Sequence, residues 1–177
     1  MKNSQWILAV GLVLIAVFSR WWPHPANFTA IGGVALLLGS LLRSKGLALM
    51  LPILILFMSD WALGFHSSMV YVYFAFFTVS LMGHFIPNRN YFQKMQLARI
   101  FGMALSSSFV FFVITNFGVW YSAGLYPATF SGLTECFLMG VPFLKNQMAG
   151  DLFFSGILFS TYEVLARRLE LRSPVFN

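Results

Sequence analysis

Six stretches of this chain, 6–22, 28–42, 47–64, 69–86, 98–120 and 150–166, are apolar over or near the length that crosses a bilayer. About 20 apolar residues span the hydrocarbon, with roughly 17 the lower edge. The stretch 28–42 is the shortest. Six such stretches in 177 residues leave no room for a second globular unit, so one domain, 1–177, is expected. Composition agrees: 9% of residues are charged, against about a quarter in soluble domains. The expected fold class is all-α, a polytopic membrane bundle of six transmembrane helices. The stretch 133–144, "LTECFLMGVPFL", is too short to span and contains Gly140 and Pro142. It reads as an interfacial or re-entrant piece within a lid-like segment, 121–148. Lys2 followed by an apolar run has the outline of a signal peptide, but Ser19-Arg20-Trp21-Trp22 is no small-residue cleavage site. The run is therefore expected to stay as the first helix.

The formal net charge is +6. In a soluble protein that would raise nucleic acid as a partner; here the excess Lys and Arg that membrane proteins carry on the cytoplasmic side explains it. With six spans and both termini cytoplasmic, Lys2, Arg43, Lys45, Arg89, Lys94, Arg99, Arg167, Arg168 and Arg172 fall inside. Only Arg20 and Lys145 fall outside. The expected location is a bacterial inner membrane, multi-pass. Glu163 and Arg167, four residues apart near the inner end, read as a minor surface pair. A single cysteine, Cys136, excludes an intramolecular disulfide.

The outer segments hold the chemistry. Trp21, Trp22, Trp61, Trp120, His24, His66, Asp60, Glu135 and Asp151 all fall on that side. Asp60 lies late in an outward-running helix, where the dipole does not favour a carboxylate. It caps a new turn at Trp61, pairs with Arg20, or contacts a ligand. Asp151 opens the sixth stretch, where capping is the plain reading. Asn27 is the expected cap of the second helix. Asn116 is an amide in "FVFFVITNFGVW" and needs a protein or ligand partner. The tryptophans sit where aromatic belts form. His24 and His66 are weak evidence for metal, and no cofactor is indicated. Gly32, Gly33, Ala35 and Gly39 should let another helix approach the second one closely.

Three functions compete. A membrane hydrolase would use Ser131 or Ser155, but no histidine follows His84, so His24 or His66 would have to act from loops. No catalytic or phosphate-cradling motif is present, and no enzyme is expected. An accessory subunit of a larger membrane complex would need only the packing surfaces. A solute-binding protein needs a pocket lined by aromatic groups and a few placed polar ones, and the outer inventory matches that best. Its candidate contacts are Asp60, Trp61, His66, Asn116, Trp120, Tyr126 and Asp151.

The motifs "NFTAIGGVALLLG", "MSDWALGFH", "TNFGVW", "GLYPATFSGL" and "PFLKNQMAGDLFF" resemble those of an uncharacterised bacterial family of transport proteins, from Asn27 to Glu163. The architecture is similar to that of the substrate-binding S-components of energy-coupling-factor (ECF) vitamin transporters. That resemblance implies capture of a small vitamin-like solute from the outer face. It also implies a transmembrane coupling subunit with ATPases as partner. The Ala-x-x-x-Ala pattern typical of S-component helix one is absent from "WILAVGLVLIAVF".

Overall fold

The computed structural model describes residues 2–42, 44–88 and 90–168, with side chains from residue 10 onward. Of the cytoplasmic basic set, Arg43, Arg89, Arg172 and the Lys2 side chain lie outside that description. The described chain is all-α: α1 (Lys2–Trp21), α2 (Ile31–Leu41), α3 (Lys45–Leu63), α4 (Met69–Gly83), α5 (Lys94–Ser122) and α6 (Phe130–Arg168). By length and composition α3 and α5 can cross a membrane. The apolar part of α1 (Val10–Trp21), α2 and α4 are shorter.

α2 organises the bundle. It packs against each of the other five helices, and ten of its 11 residues are buried. At about 1.5 Å per residue it is only about 16 Å long. Its sequence, "IGGVALLLGSL", has no polar face to turn outward, and its glycines set how closely neighbours come. A Cβ on Gly39 would lie 2.9 Å from the Gly83 Cα of α4. One on Gly33 would lie 3.0 Å from the Ser155 amide nitrogen of α6. The close approach expected of this stretch is therefore made inside the bundle.

α2 is not capped by Asn27. Its N-cap is Ala30, with no side-chain hydrogen bond. Asn27 instead takes a left-handed turn conformation, φ 66°, which Asn tolerates better than most residues. The Ala30 amide is bound by Ser19 Oγ of α1 at 3.0 Å.

The largest departure from the sequence reading is α6. Residues 133–144 form no separate re-entrant piece, and no helix starts at Gly150. One continuous helix of 39 residues, about 58 Å long, runs antiparallel to α5. Gly140 and Pro142 look like breaks but are not. Gly140 gives room to α5: a Cβ there would overlap the Asn116 side chain and lie 2.9 Å from the Phe112 ring. Pro142 is exposed and removes one backbone donor without ending the helix. The α5–α6 turn is closed by Gly124 at φ 66°. There the Trp120 Nε1–H donates to the Pro127 carbonyl at 2.9 Å.

The Glu163–Arg167 pair is present at 2.7 Å, but it is no surface pair. Glu163 is buried and accepts the Tyr91 amide at 3.1 Å. Arg167 also donates to Asn90 Oδ1 at 2.7 Å and lies over the Phe92 ring. Tyr91 in turn shares a hydrogen bond with Ser40 Oγ of α2 at 2.6 Å. The carboxylate thus ties the α4–α5 connection to α6.

The flanks of the bundle are apolar. Leu54 and Phe57 of α3, Phe74 of α4, Phe109 of α5 and Phe153 of α6 are all about half exposed. Several of the fully buried positions, by contrast, are small or polar: Ser59, Ser80, Ser107, Ser108 and Ser155 are each 0% exposed.

Candidate functional site

A cavity of about 530 Å³ opens at the end of the bundle where the α1–α2, α3–α4 and α5–α6 connections gather. Its inner wall is apolar and buried: Ile31, Leu56, Phe76 and Phe111. Polar groups come from four directions. Arg20 and Thr29 flank the first connection, His66 and Ser68 lie in the second, and Thr115, Asn116 and Gln147 come from α5 and α6. His24, Asn27 and Tyr126 complete the rim. Among the described residues no Asp or Glu lines it.

Three of the seven residues singled out from sequence line this cavity: His66, Asn116 and Tyr126. The other four do not. Trp61 is 75% exposed on the outside of α3. Trp120 secures the α5–α6 turn. Asp60 and Asp151 stand one residue behind the wall, each bound to a lining side chain.

Asp60 does not cap a new turn at Trp61, because α3 continues to Leu63 and ends at Gly64, φ 96°. The partner expected for it, Arg20, is there: Arg20 Nη1 donates to Asp60 Oδ1 at 2.6 Å. The same nitrogen donates to Ser59 Oγ, which passes its own hydrogen to α3 carbonyls at Ile55 and Leu56. Tyr73 of α4 donates to the other carboxylate oxygen at 2.8 Å. Asp60 is 3% exposed. A carboxylate so placed is kept by its partners, since an unpaired charge there would be costly. Its visible role is to hold the Arg20 side chain from behind.

Asp151 does not open a helix; it lies in the interior of α6, 1% exposed. Ser108 Oγ donates to its Oδ2 at 2.7 Å, and Gln147 Nε2 to the same oxygen at 2.9 Å. Its Oδ1 has no hydrogen-bond partner among the described residues. The carboxylate rests against Gly32, in the first turn of α2, where any Cβ would overlap it. A helix N-terminus favours negative charge, so the dipole logic holds for a different helix from the one expected. Through Gln147, Asp151 sets the orientation of an amide that lines the cavity.

Asn116 donates from Nδ2 to the Phe112 carbonyl at 2.8 Å, which satisfies part of the amide within α5. Its neighbour on the wall, Cys136, donates from Sγ to the Asn116 carbonyl at 3.3 Å. Neither candidate serine meets a candidate histidine. Ser131 Oγ bonds Thr129 Oγ1, and Ser155 Oγ has no partner among the described residues. His66 Nδ1 does reach Ser68 Oγ at 3.1 Å, but no described carboxylate orients the ring. Among the described residues no three His, Cys, Asp or Glu are grouped to hold a metal.

Sequence reasoning passed over Gln147, Tyr73 and Ser108. Gln147 had a signal: it lies four residues before Asp151, on one face if the helix runs through. Tyr73 had none.

Fold and site together define a class: an all-helical chain with two bilayer-length apolar helices and a polar-rimmed cavity at one end. A family model described as a family of unknown function, DUF6580, matches residues 1–173. The chain belongs to that family. No curated protein matches it.

Proposed function

We propose that this chain is a six-span inner-membrane protein that captures a small solute from the outer face, as the substrate-binding subunit of a transport system. The observation that carries the reading is the cavity: about 530 Å³, apolar within and polar at the rim. Such cavities, about 300–1,000 Å³ with a few convergent polar groups, are the usual form of a small-molecule site. The apolar flanks support the membrane setting, because soluble monomers rarely expose apolar patches beyond a few hundred Å². The Lys/Arg asymmetry supports an outward-facing cavity. Lys45, Lys94, Arg99, Arg167 and Arg168 lie at the other end of the bundle and Arg20 at this one, while Lys145 lies in the interior of α6. The short α2 is accommodated because protein surrounds it on all sides. Residues 123–129, with Leu125 and Tyr126 on the cavity, act as the cover. No nucleotide-binding loop occurs in the sequence, so energy comes from a coupling subunit with ATPases or from a gradient. The similarity to ECF S-components points to the former.

Native mass spectrometry of the detergent-purified protein tests this. A retained small molecule is expected, and Asn116→Ala or Gln147→Ala should weaken its retention at equal folded yield. Retention unchanged in both variants would reject the cavity as its site. Ser68→Cys should react with an impermeant maleimide from outside whole cells, and Lys94→Cys only after lysis. The reverse labelling would reject the orientation.

A further inference from the structure

We infer that the solute is a monocarboxylate with an apolar, ring-bearing body, and that Arg20 is the residue that selects it. This rests on the capture reading above and names the class of ligand.

The argument begins with how the Arg20 guanidinium is used. A guanidinium has five N–H donors: one on Nε and two on each terminal nitrogen. Both hydrogen bonds that Arg20 makes among the described residues leave from Nη1, to Ser59 and to Asp60. The Nε and Nη2 donors are left over. They form one edge of the plane, with two parallel N–H groups. That is the edge that binds a carboxylate bidentately. Arg20 lines the cavity, its side chain is 18% exposed, and this edge is not satisfied by protein among the described residues.

The side chain is also held still. Ser59 and Asp60 fix Nη1 from α3, and Tyr73 fixes Asp60 from α4. A donor pair positioned before the ligand arrives costs little ordering on binding. An arginine that served only to neutralise Asp60 would commonly use its fork on that carboxylate; here one nitrogen does so.

The rest of the lining agrees on the sign and the size of the charge. Among the described residues no carboxylate lines the cavity, while Arg20 does. A cationic solute would find no counter-charge there. A doubly charged headgroup is disfavoured as well, because Asp60 lies on the far side of the same guanidinium and repels a second negative charge. The inner wall of Ile31, Leu56, Phe76 and Phe111 takes the apolar body. Phe76 and Phe111 pack with ring centroids 4.9 Å apart and give that wall aromatic surface suited to a ring-bearing ligand.

The experiment uses the full chain in detergent and three matched probes: 1-naphthaleneacetate, its primary amide and the corresponding amine. Binding is read by equilibrium dialysis against empty micelles. The acid should bind at least about tenfold tighter than the amide, as a charge-assisted bidentate pair requires. Arg20→Lys is the discriminating variant. It keeps the charge and the ion pair with Asp60 but has no second edge, so it should fold and lose the preference for the acid. Arg20→Gln with Asp60→Asn removes both charges together and guards against misfolding from an unpaired Asp60. It too should bind acid and amide alike. The inference is overturned if amide or amine matches the acid in the natural chain, or if Arg20→Lys keeps the preference. An amide or amine signal that Asn116→Ala weakens would retain solute capture while rejecting the carboxylate. Absence of binding by all three probes would reject both.

Discussion

Gly39 and Gly102 are both helix-interior glycines, yet replacing each with alanine should move stability in opposite directions. Alanine in an unhindered helix is favoured over glycine by about 0.5–1 kcal/mol. Gly102 of α5 has nothing within 4 Å of where its Cβ would lie, so Gly102→Ala should show that gain. Gly39 faces backbone. Its Cβ would overlap the Ser80 carbonyl oxygen and lie 2.9 Å from Gly83 Cα and 3.1 Å from the Gly83 carbonyl carbon. Carbon pairs rest at about 3.5–4.0 Å, so α2 and α4 would have to part by roughly half an ångström or more. Backbone on α4 does not rotate away as a side chain would, and α2 is hemmed in by its other neighbours. Overpacking of this kind costs about 1–3 kcal/mol. Set against the propensity gain, the net loss for Gly39→Ala is about 1–2 kcal/mol. For a chain of this size that lowers the midpoint by roughly 2–8 °C. Gly102→Ala should raise it by up to about 4 °C by the same scaling. Intrinsic tryptophan fluorescence during heating in detergent reads both. Equal shifts in the two variants would refute the claim that the α2–α4 crossing is set by glycine contact.

Other positions carry separate expectations. Asp151→Ala should cost about 1–3 kcal/mol, because the Gln147 amide loses its buried acceptor. Asp151→Asn keeps an acceptor oxygen and should cost clearly less; an equal loss in heating experiments would mean that the charge and not the hydrogen bonds matters. Glu163→Ala should destabilise by a similar amount, since the buried Tyr91 amide loses its acceptor while the half-exposed Arg167 is rehydrated. Faster hydrogen exchange at the Tyr91 amide should accompany it, and unchanged exchange would count against the tie between the α4–α5 connection and α6. Trp61→Leu should leave solute retention unaltered in native mass spectra, as the ring points away from the cavity; a loss there would redraw the site.

What the sequence disclosed follows from how local each feature is. An all-helical chain was legible because apolar stretches separated by turns impose it. Arg20 and Asp60 were legible as partners because two opposite charges in so apolar a setting have few alternatives. Gly39 was legible as a contact point because small-residue spacing has a direct packing meaning. Gly140 and Pro142 misled, since the residue types that end helices also serve close approach and exposed turns, and only the position of Asn116 across from Gly140 tells which. Glu163 misled for a similar reason: the four-residue spacing to Arg167 is the same on a surface and in a core, and the burial is supplied by Tyr91, 72 residues away. The cavity was only partly legible. Its lining is assembled from helices and connections distant in sequence, and the two carboxylates that stood out in the sequence face its lining side chains instead of its interior.

The enclosure of α2 has a consequence for biogenesis. A segment of 11 residues with no face for lipid or water gains almost nothing until its neighbours exist. Its longest-range contacts are with α6, which is synthesised after the other described helices. The earliest part of the chain to be synthesised after α1 is thus among the last to settle, and assembly proceeds by closing outer helices around a centre that waits for them.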